Sequence, residues 1–411
     1  IGGLPYIMPL IGNPPVYTRN LTSMMILKRQ EEFKHLPSMD INLVEPGDKL
    51  TLGNLPVEFF PVTHSIPDSM GVSVKTPHGN IVISGDLRLD HVDGEPTDHE
   101  KEIWSEIGKQ NNLLFISDST NAELPGFSIP ESKIIQNLEE IIRNISGRII
   151  VGTFASQFAR MIKLIQIAEK LGKKVITEGR SMKTNIEIAK KAGLLDIKKD
   201  TLIPIGEINN YPPERIFILA TGAQGEEFAA LMRVATKKHK YITLTPRDTI
   251  ILSSSVIPGN EISVQKLKDN LYRHGVHIIH YRVSDVHASG HGRSEELKWI
   301  QNQVKAKYFM PAYGFHSMLR AHAQKIEESG FPKENIIIAD NGMIIDMNDK
   351  KFTILKEKAP TNIVMVDGFS VGEVQEVVLR DRTMLAQDGM FVIIAIIDTR
   401  TGKVRKSLDI I

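Results

Sequence analysis

Cysteine is absent from the 411 residues. That excludes disulfide scaffolds and thiolate metal sites and fits a reducing, cytoplasmic setting. No uninterrupted run of about 20 apolar residues occurs, so neither a membrane-spanning helix nor a membrane partner is expected. An excess of one charge is missing too, since 50 basic against 49 acidic residues leave +1. Any nucleic-acid surface would therefore be a local patch. Lys173, Lys174, Arg180 and Lys183 are candidates for one, as are Lys237, Lys238 and Lys240, although solvated helix ends would look the same. Internal repeats and low-complexity segments are also lacking. What remains is an ordinary globular composition, 41% hydrophobic, at a length that suits two or three domains.

Periodicity organises the chain. Residues 1–130 read as strands with short helices, and Ile134–Arg143 as an amphipathic helix. From Ser146 onward strands and helices alternate: Arg148–Thr153, a helix from Ala159 ended by Gly172, Lys174–Thr177, a helix from Ile186, Arg215–Thr221 and Asp248–Ser254. Such alternation predicts a mostly parallel sheet covered by helices. A new helix starts near Glu295, Lys356–Thr361 reads as a connector, and Met390–Asp398 as the opening strand of a further domain.

The chemistry concentrates in Asp285-Val-His-Ala-Ser-Gly-His-Gly292, where no apolar alternation explains the residues as core. Gly290 and Gly292 allow a tight turn with amides facing an anion, while His287, Ser289 and His291 add side-chain donors. That combination suits phosphate binding and proton transfer; a polar turn with one histidine capping a helix is the plainer alternative. Three strand-like runs end in polar residues, at His64, Asp86 and Asp118. Imidazole and carboxylate at strand ends are the ligand types zinc or manganese takes, at the sheet rim where active sites collect. Thr221-Gly-Ala-Gln-Gly-Glu226 follows a strand and reads as opening a helix, so it either receives a phosphate or only turns the chain. Ser156 is either an RNA contact or a helix N-cap.

The segments IGGLPY, THSIPDSMGV, SGDLRLD, SDSTNAELPGF, GTFAS, GRSM, EINNYP, TGAQGE, IPGNE, VHASGHG and VGEVQEVVLRDR run in order along the whole chain. With them the sequence resembles the ribonuclease J family, in the β-CASP branch of the metallo-β-lactamase superfamily. The resemblance implies a metallo-β-lactamase αββα sandwich with an inserted β-CASP α/β domain and the start of a C-terminal domain. The expected division is 1–130 (first part of the metallo-β-lactamase domain), 131–294 (β-CASP), 295–360 (return segment) and 361–411 (end of that domain, linker and C-terminal start). By the same resemblance His64 is a ligand of a first metal and Asp86 a carboxylate bridging two. Asp118 and His291 are an acid and a histidine that meet at the centre. His287, Ala288, Ser289, Gly290 and His291 hold the substrate phosphate, and Asp367 helps hold a structural calcium. Two zinc ions are implied, with manganese an option at the second site.

Two departures stand out. The family carries a His-x-His-x-Asp-His signature, four ligands of its two-metal centre, directly before IGGLPY. That signature is expected to precede Ile1, and the chain from Ile1 onward is expected to hold catalytic metal poorly and to be impaired. In Met310-Pro-Ala-Tyr313-Gly-Phe-His316, Tyr313 stands where the family has a metal-binding histidine, and Phe315 where it has an acid. A phenol with a pKa near ~10 is a poor substitute for imidazole; His316 could swing in instead. The implied activity is endonucleolytic and 5′-to-3′ exonucleolytic cleavage of single-stranded RNA, preferably 5′-monophosphorylated, in mRNA decay and rRNA maturation. A homodimer or tetramer is implied, with a paralogue as a further partner. The alternative that Tyr313 raises is a catalytically impaired paralogue that binds RNA or an active subunit.

Overall fold

A computed structural model describes residues 1–361 apart from 228 and 258, and only scattered positions from 362 onward. The main sheet of the first unit opens with strands β1 (Lys49–Leu52), β2 (Leu55–Pro61), β3 (Met70–Thr76) and β4 (Gly79–Ile83). Helix α1 (Asp98–Gly108) then leads into β5 (Asn112–Asp118). The second unit follows α2 (Glu131–Asn144) through β6 (Ile149–Thr153), α3 (Phe158–Lys170), β7 (Lys174–Glu178) and α4 (Arg180–Lys191). It continues with β8 (Ile216–Ala220), α5 (Ala230–Ala235), β9 (Thr249–Ser253), α6 (Glu261–Tyr272) and β10 (His277–His280). The chain then adds α7 (Ser294–Val304), β11 (Tyr308–Ala312) and α8 (His316–Glu328), and a hairpin of β12 (Met343–Met347) and β13 (Phe352–Lys358).

Strand β11 returns to the first sheet, whose order is β11-β5-β4-β3-β2-β1. Its partner is β5, parallel, with Tyr308 beside Leu114 and Ala312 beside Asp118. The excursion between β5 and β11 thus forms a separate five-stranded sheet, β7-β8-β6-β9-β10, parallel throughout. Its strands are apolar on both faces because helices cover both. Phe217 and Leu219 of β8 face the cluster with α2, α3 and α4, and Ile216 and Ile218 the cluster with α5 and α6. On the first sheet, Phe60, Val82, Phe115 and Phe309 pack under Trp104 of α1, Leu297 and Ile300 of α7 and Ile326 of α8.

Some local expectations fail for identifiable reasons. Lys356–Lys358 is not connector but the end of β13, with Lys358 paired to Met343. Thr221–Glu226 does not open a helix; α5 begins only at Ala230. Gly222 and Gly225 have φ of 102° and 77°, and a Cβ on Gly225 would lie 2.2 Å from the Ser263 carbonyl oxygen. These glycines therefore serve the turn, which Gln224 ties to Ser255 and Ile257. The N-cap of α3 is Gln157, without a side-chain bond, so Ser156 is no cap. Most of Met390–Asp398 lies outside the described residues; of the described ones, Ile393–Ile394 is a two-residue strand.

Candidate metal and phosphate site

Strand direction brings the site together. β2 is antiparallel to β3, and β3 to β4, so β2 and β4 run the same way. β5 and β11 are parallel to β4 in turn. The C-terminal ends of β2, β4, β5 and β11 therefore lie on one rim, which carries His64, Asp86 and Tyr313 just past their strands and Asp118 as the last residue of β5.

Ligand-type atoms of His64, Asp86 and His291 lie within 4.8 Å of one another. His64 Nδ1 sits 2.7 Å from the Gly290 carbonyl oxygen, so it carries the proton and donates. That fixes Nε2 as the bare nitrogen, and it faces Asp86 Oδ2 at 3.9 Å. Burial pushes the His64 imidazole below its ordinary pKa, which outweighs the pull of the Gly290 carbonyl and of Asp86. A neutral imidazole with an oriented lone pair beside a half-exposed carboxylate fits a divalent cation. Gly290 is required for this approach: a Cβ there would come within 2.7 Å of the His64 ring. Neither Gly290 nor Gly292 has a positive φ, so close approach rather than a tight turn explains the first of them.

Asp118 works differently. It is 1% exposed and accepts from the Leu87 amide, the Thr120 amide, the Thr120 hydroxyl and His291 Nδ1, the last at 2.6 Å. Burial raises its pKa, but the His291 bond and charge outweigh this and hold it below the usual carboxylate range. Conversely, burial lowers the pKa of His291 while Asp118 raises it further, leaving it above the ordinary value. With Nδ1–H committed to Asp118, His291 when protonated carries its second proton on Nε2, which is then available to donate.

The segment before His291 is clamped by groups the sequence did not announce. Arg160 of α3, 0% exposed, meets Glu131 of α2 through both carboxylate oxygens, at 2.8 and 2.5 Å. It also donates to the Ala288 carbonyl at 3.1 Å and to His287 Nδ1 at 2.7 Å. A guanidinium only donates, so His287 Nδ1 is the acceptor and Nε2 carries the proton. Burial first, then the Arg160 charge, pushes the His287 pKa down to about 3. His287 is thus a neutral N–H donor. Burial raises the pKa of Glu131, but Arg160 overrides it and keeps the carboxyl ionised. Ser253 at the end of β9 donates to the Val286 carbonyl, and the Ser289 hydroxyl accepts from the His291 amide. Ala288 is buried in the second unit's core. Arg160 had a legible signal, a charge four residues before Leu164 on an apolar helix face; Glu131 had none.

Other candidates are placed elsewhere. Tyr313 is half-exposed with φ of 55°, and burial together with Asp86 and Asp118 raises the pKa of its phenol. His316 does not swing in: its nitrogens engage Asp340 and Arg320, both at 3.1 Å. Asp367 lies in a two-residue strand, and its side chain is outside the described residues. Of the lysine candidates, Lys174 and Lys183 are neutralised by Asp200 and Glu178, and Lys173 bonds the Glu214 carbonyl.

Fold and site together define a β-CASP protein of the metallo-β-lactamase superfamily. Residues 146–271 match the model of the ribonuclease J β-CASP domain, and 276–339 that of a Zn-dependent metallo-hydrolase RNA specificity domain. Ribonuclease J 1 of Streptococcus pyogenes is 37% identical over 100% of this chain and 73% of its own length. Ribonuclease J 2 of Staphylococcus epidermidis and of Staphylococcus aureus are each 36% identical, over the same shares. The crystal structure of a protein of unknown function from Enterococcus faecalis shares the fold at 16% identity, with a TM-score of 0.58 over 83% of this chain and 76% of that one. The chain belongs to the ribonuclease J family, a family of hydrolases and nucleases.

Proposed function

We propose that this protein is a metal-dependent ribonuclease, hydrolysing single-stranded RNA both endonucleolytically and from a 5′-monophosphate end. The observation that carries this reading is the 2.6 Å Asp118–His291 pair standing beside His64 and Asp86. Together with the ligands expected before Ile1, His64 and Asp86 would hold zinc, which when bound supplies positive charge to the scissile phosphate and activation of water. Asp118 keeps His291 charged, and His291 Nε2–H donates to the leaving 3′ oxygen. His287 Nε2–H and the Ser289 hydroxyl hold a phosphate oxygen without adding charge. We assign 131–294 as the inserted domain, with RNA threading between the two sheets as a single strand, since only splayed nucleotides enter such a cleft. mRNA decay and rRNA maturation in the cytoplasm, by a homodimer or tetramer, complete the reading.

Tyr313 favours a second reading, an impaired paralogue that binds RNA or an active subunit, because its phenol resists ionisation. One experiment separates the two. The full-length protein, carrying the signature expected before Ile1, is supplied with zinc or manganese and assayed on 5′-monophosphorylated single-stranded RNA beside His291→Ala and Tyr313→His. The ribonuclease reading expects hydrolysis that His291→Ala reduces by about 10²–10⁴-fold, and a higher rate for Tyr313→His. RNA binding with no hydrolysis by either the parent or Tyr313→His establishes the second reading.

A further inference from the structure

A cavity of about 330 Å³ lies in the second unit, roofed by α6 at the edge where β9 and β10 end. Its floor is apolar and buried, formed by Ala223, Leu252 and Val264. Its rim carries Lys268, Tyr281 and Arg282. Among the described residues neither Lys268 nor Arg282 meets a carboxylate. Arg282 lies 5.7 Å from the centre of the Tyr281 ring and donates to its hydroxyl at 3.1 Å, which orients both. Glu261, the acid at the rim, is turned to the Gly259 amide at 2.9 Å. Nearby His280 has its pKa lowered by burial and then by Lys268 and Arg282, as unneutralised positive charge requires.

We propose that this cavity binds a nucleotide, with the base against Tyr281 over the apolar floor and the phosphate between Lys268 and Arg282. A neutral apolar ligand would leave two unpaired cations unused, and a bare anion would gain nothing from the floor. A flat ring joined to an anion uses both. The volume lies at the lower end of small-ligand pockets. The occupant comes from one of two sources, a residue of a bound RNA strand or a free mononucleotide; the first rests on the ribonuclease reading. Only four residues separate Arg282 from His287, so a strand held at one reaches the other.

The test is equilibrium dialysis of labelled AMP against the His287→Ala protein, in which the neighbouring phosphate contact is removed. Saturable AMP binding is expected, weakened about tenfold or more by adding Lys268→Glu and recovered by Lys268→Arg. Inorganic phosphate and adenosine should each bind more weakly than AMP. No AMP binding, binding indifferent to Lys268→Glu, or phosphate binding as tightly as AMP overturns the proposal. AMP displacing a short oligonucleotide marks the strand as occupant; both bound together mark a free nucleotide. Failure of the ribonuclease reading appears separately, as absence of RNA hydrolysis, and leaves the dialysis readable.

Discussion

At the scale of single residues, the site is governed by which nitrogen of each histidine holds its proton. The Gly290 carbonyl leaves His64 Nε2 bare, Asp118 takes the His291 Nδ1–H and raises that ring's pKa, and Arg160 makes His287 a neutral donor. Three imidazoles within one segment and its neighbour thus acquire three different chemistries from their partners alone. Arg160→Lys tests the last of these. Lysine keeps the charge but loses the planar fork, so Glu131, Ala288 and His287 cannot all be held. The expected outcome is an RNA KM raised about 10-fold or more, from loss of charged hydrogen bonds worth about 1.5–3 kcal/mol each. kcat should fall less, because His291 and Asp118 are untouched. Steady-state kinetics on single-stranded RNA decide it: an unchanged KM would show that Arg160 does not position His287. Arg160→Ala should instead unfold the second unit, since it strands a buried carboxylate at a cost of about 3–5 kcal/mol.

At the scale of elements, the sequence was legible wherever burial imposed a pattern. The two-sided apolar runs of the second sheet and the strands that lead to Asp86 and Asp118 could be read directly, because their side chains face cores. β13 could not be, since nearly all of it is exposed and its lysines and glutamate follow no buried face. Long-range polar partners were also invisible, for nothing local marks a residue whose partners lie far along the chain. Glu296 in the first turn of α7 is the clearest case. It is 0% exposed and accepts from the Arg293 amide, the Leu89 amide, and both the amide and hydroxyl of Ser128. The helix start is thereby tied to two loops of the first unit, right after the His291 segment. Glu296→Gln replaces one acceptor oxygen by a donor among donors, so about 2 kcal/mol of stability should be lost. Urea unfolding at neutral pH measures this; a loss below about 0.5 kcal/mol would mean the loops are held by packing instead.

At the scale of the whole molecule, two buried histidines, one in each unit, resist protonation. His287 lies against the second unit, and His322 of α8, 1% exposed, lies under the first sheet. His322 Nδ1–H donates to the Ser119 hydroxyl at 2.9 Å, while Nε2 has no partner among the described residues and the Phe309 ring centre lies 4.8 Å away. A proton on Nε2 would be a buried, unpaired charge, and burial accordingly pushes the His322 pKa down to about 3. Both folded pKa values lie below the unfolded value of about 6.5. Below that value the unfolded chain binds protons the folded one refuses, so stability is full above pH 6.5 and declines as pH falls toward 3. At pH 5 each histidine should remove about 2 kcal/mol relative to pH 7, about 4 kcal/mol together. His322→Asn, whose amide nitrogen can take over the bond to Ser119, should remove about half of that difference. Urea unfolding at pH 7 and pH 5 provides the check: the same pH 5 loss in His322→Asn as in the parent would place the acid sensitivity on other groups.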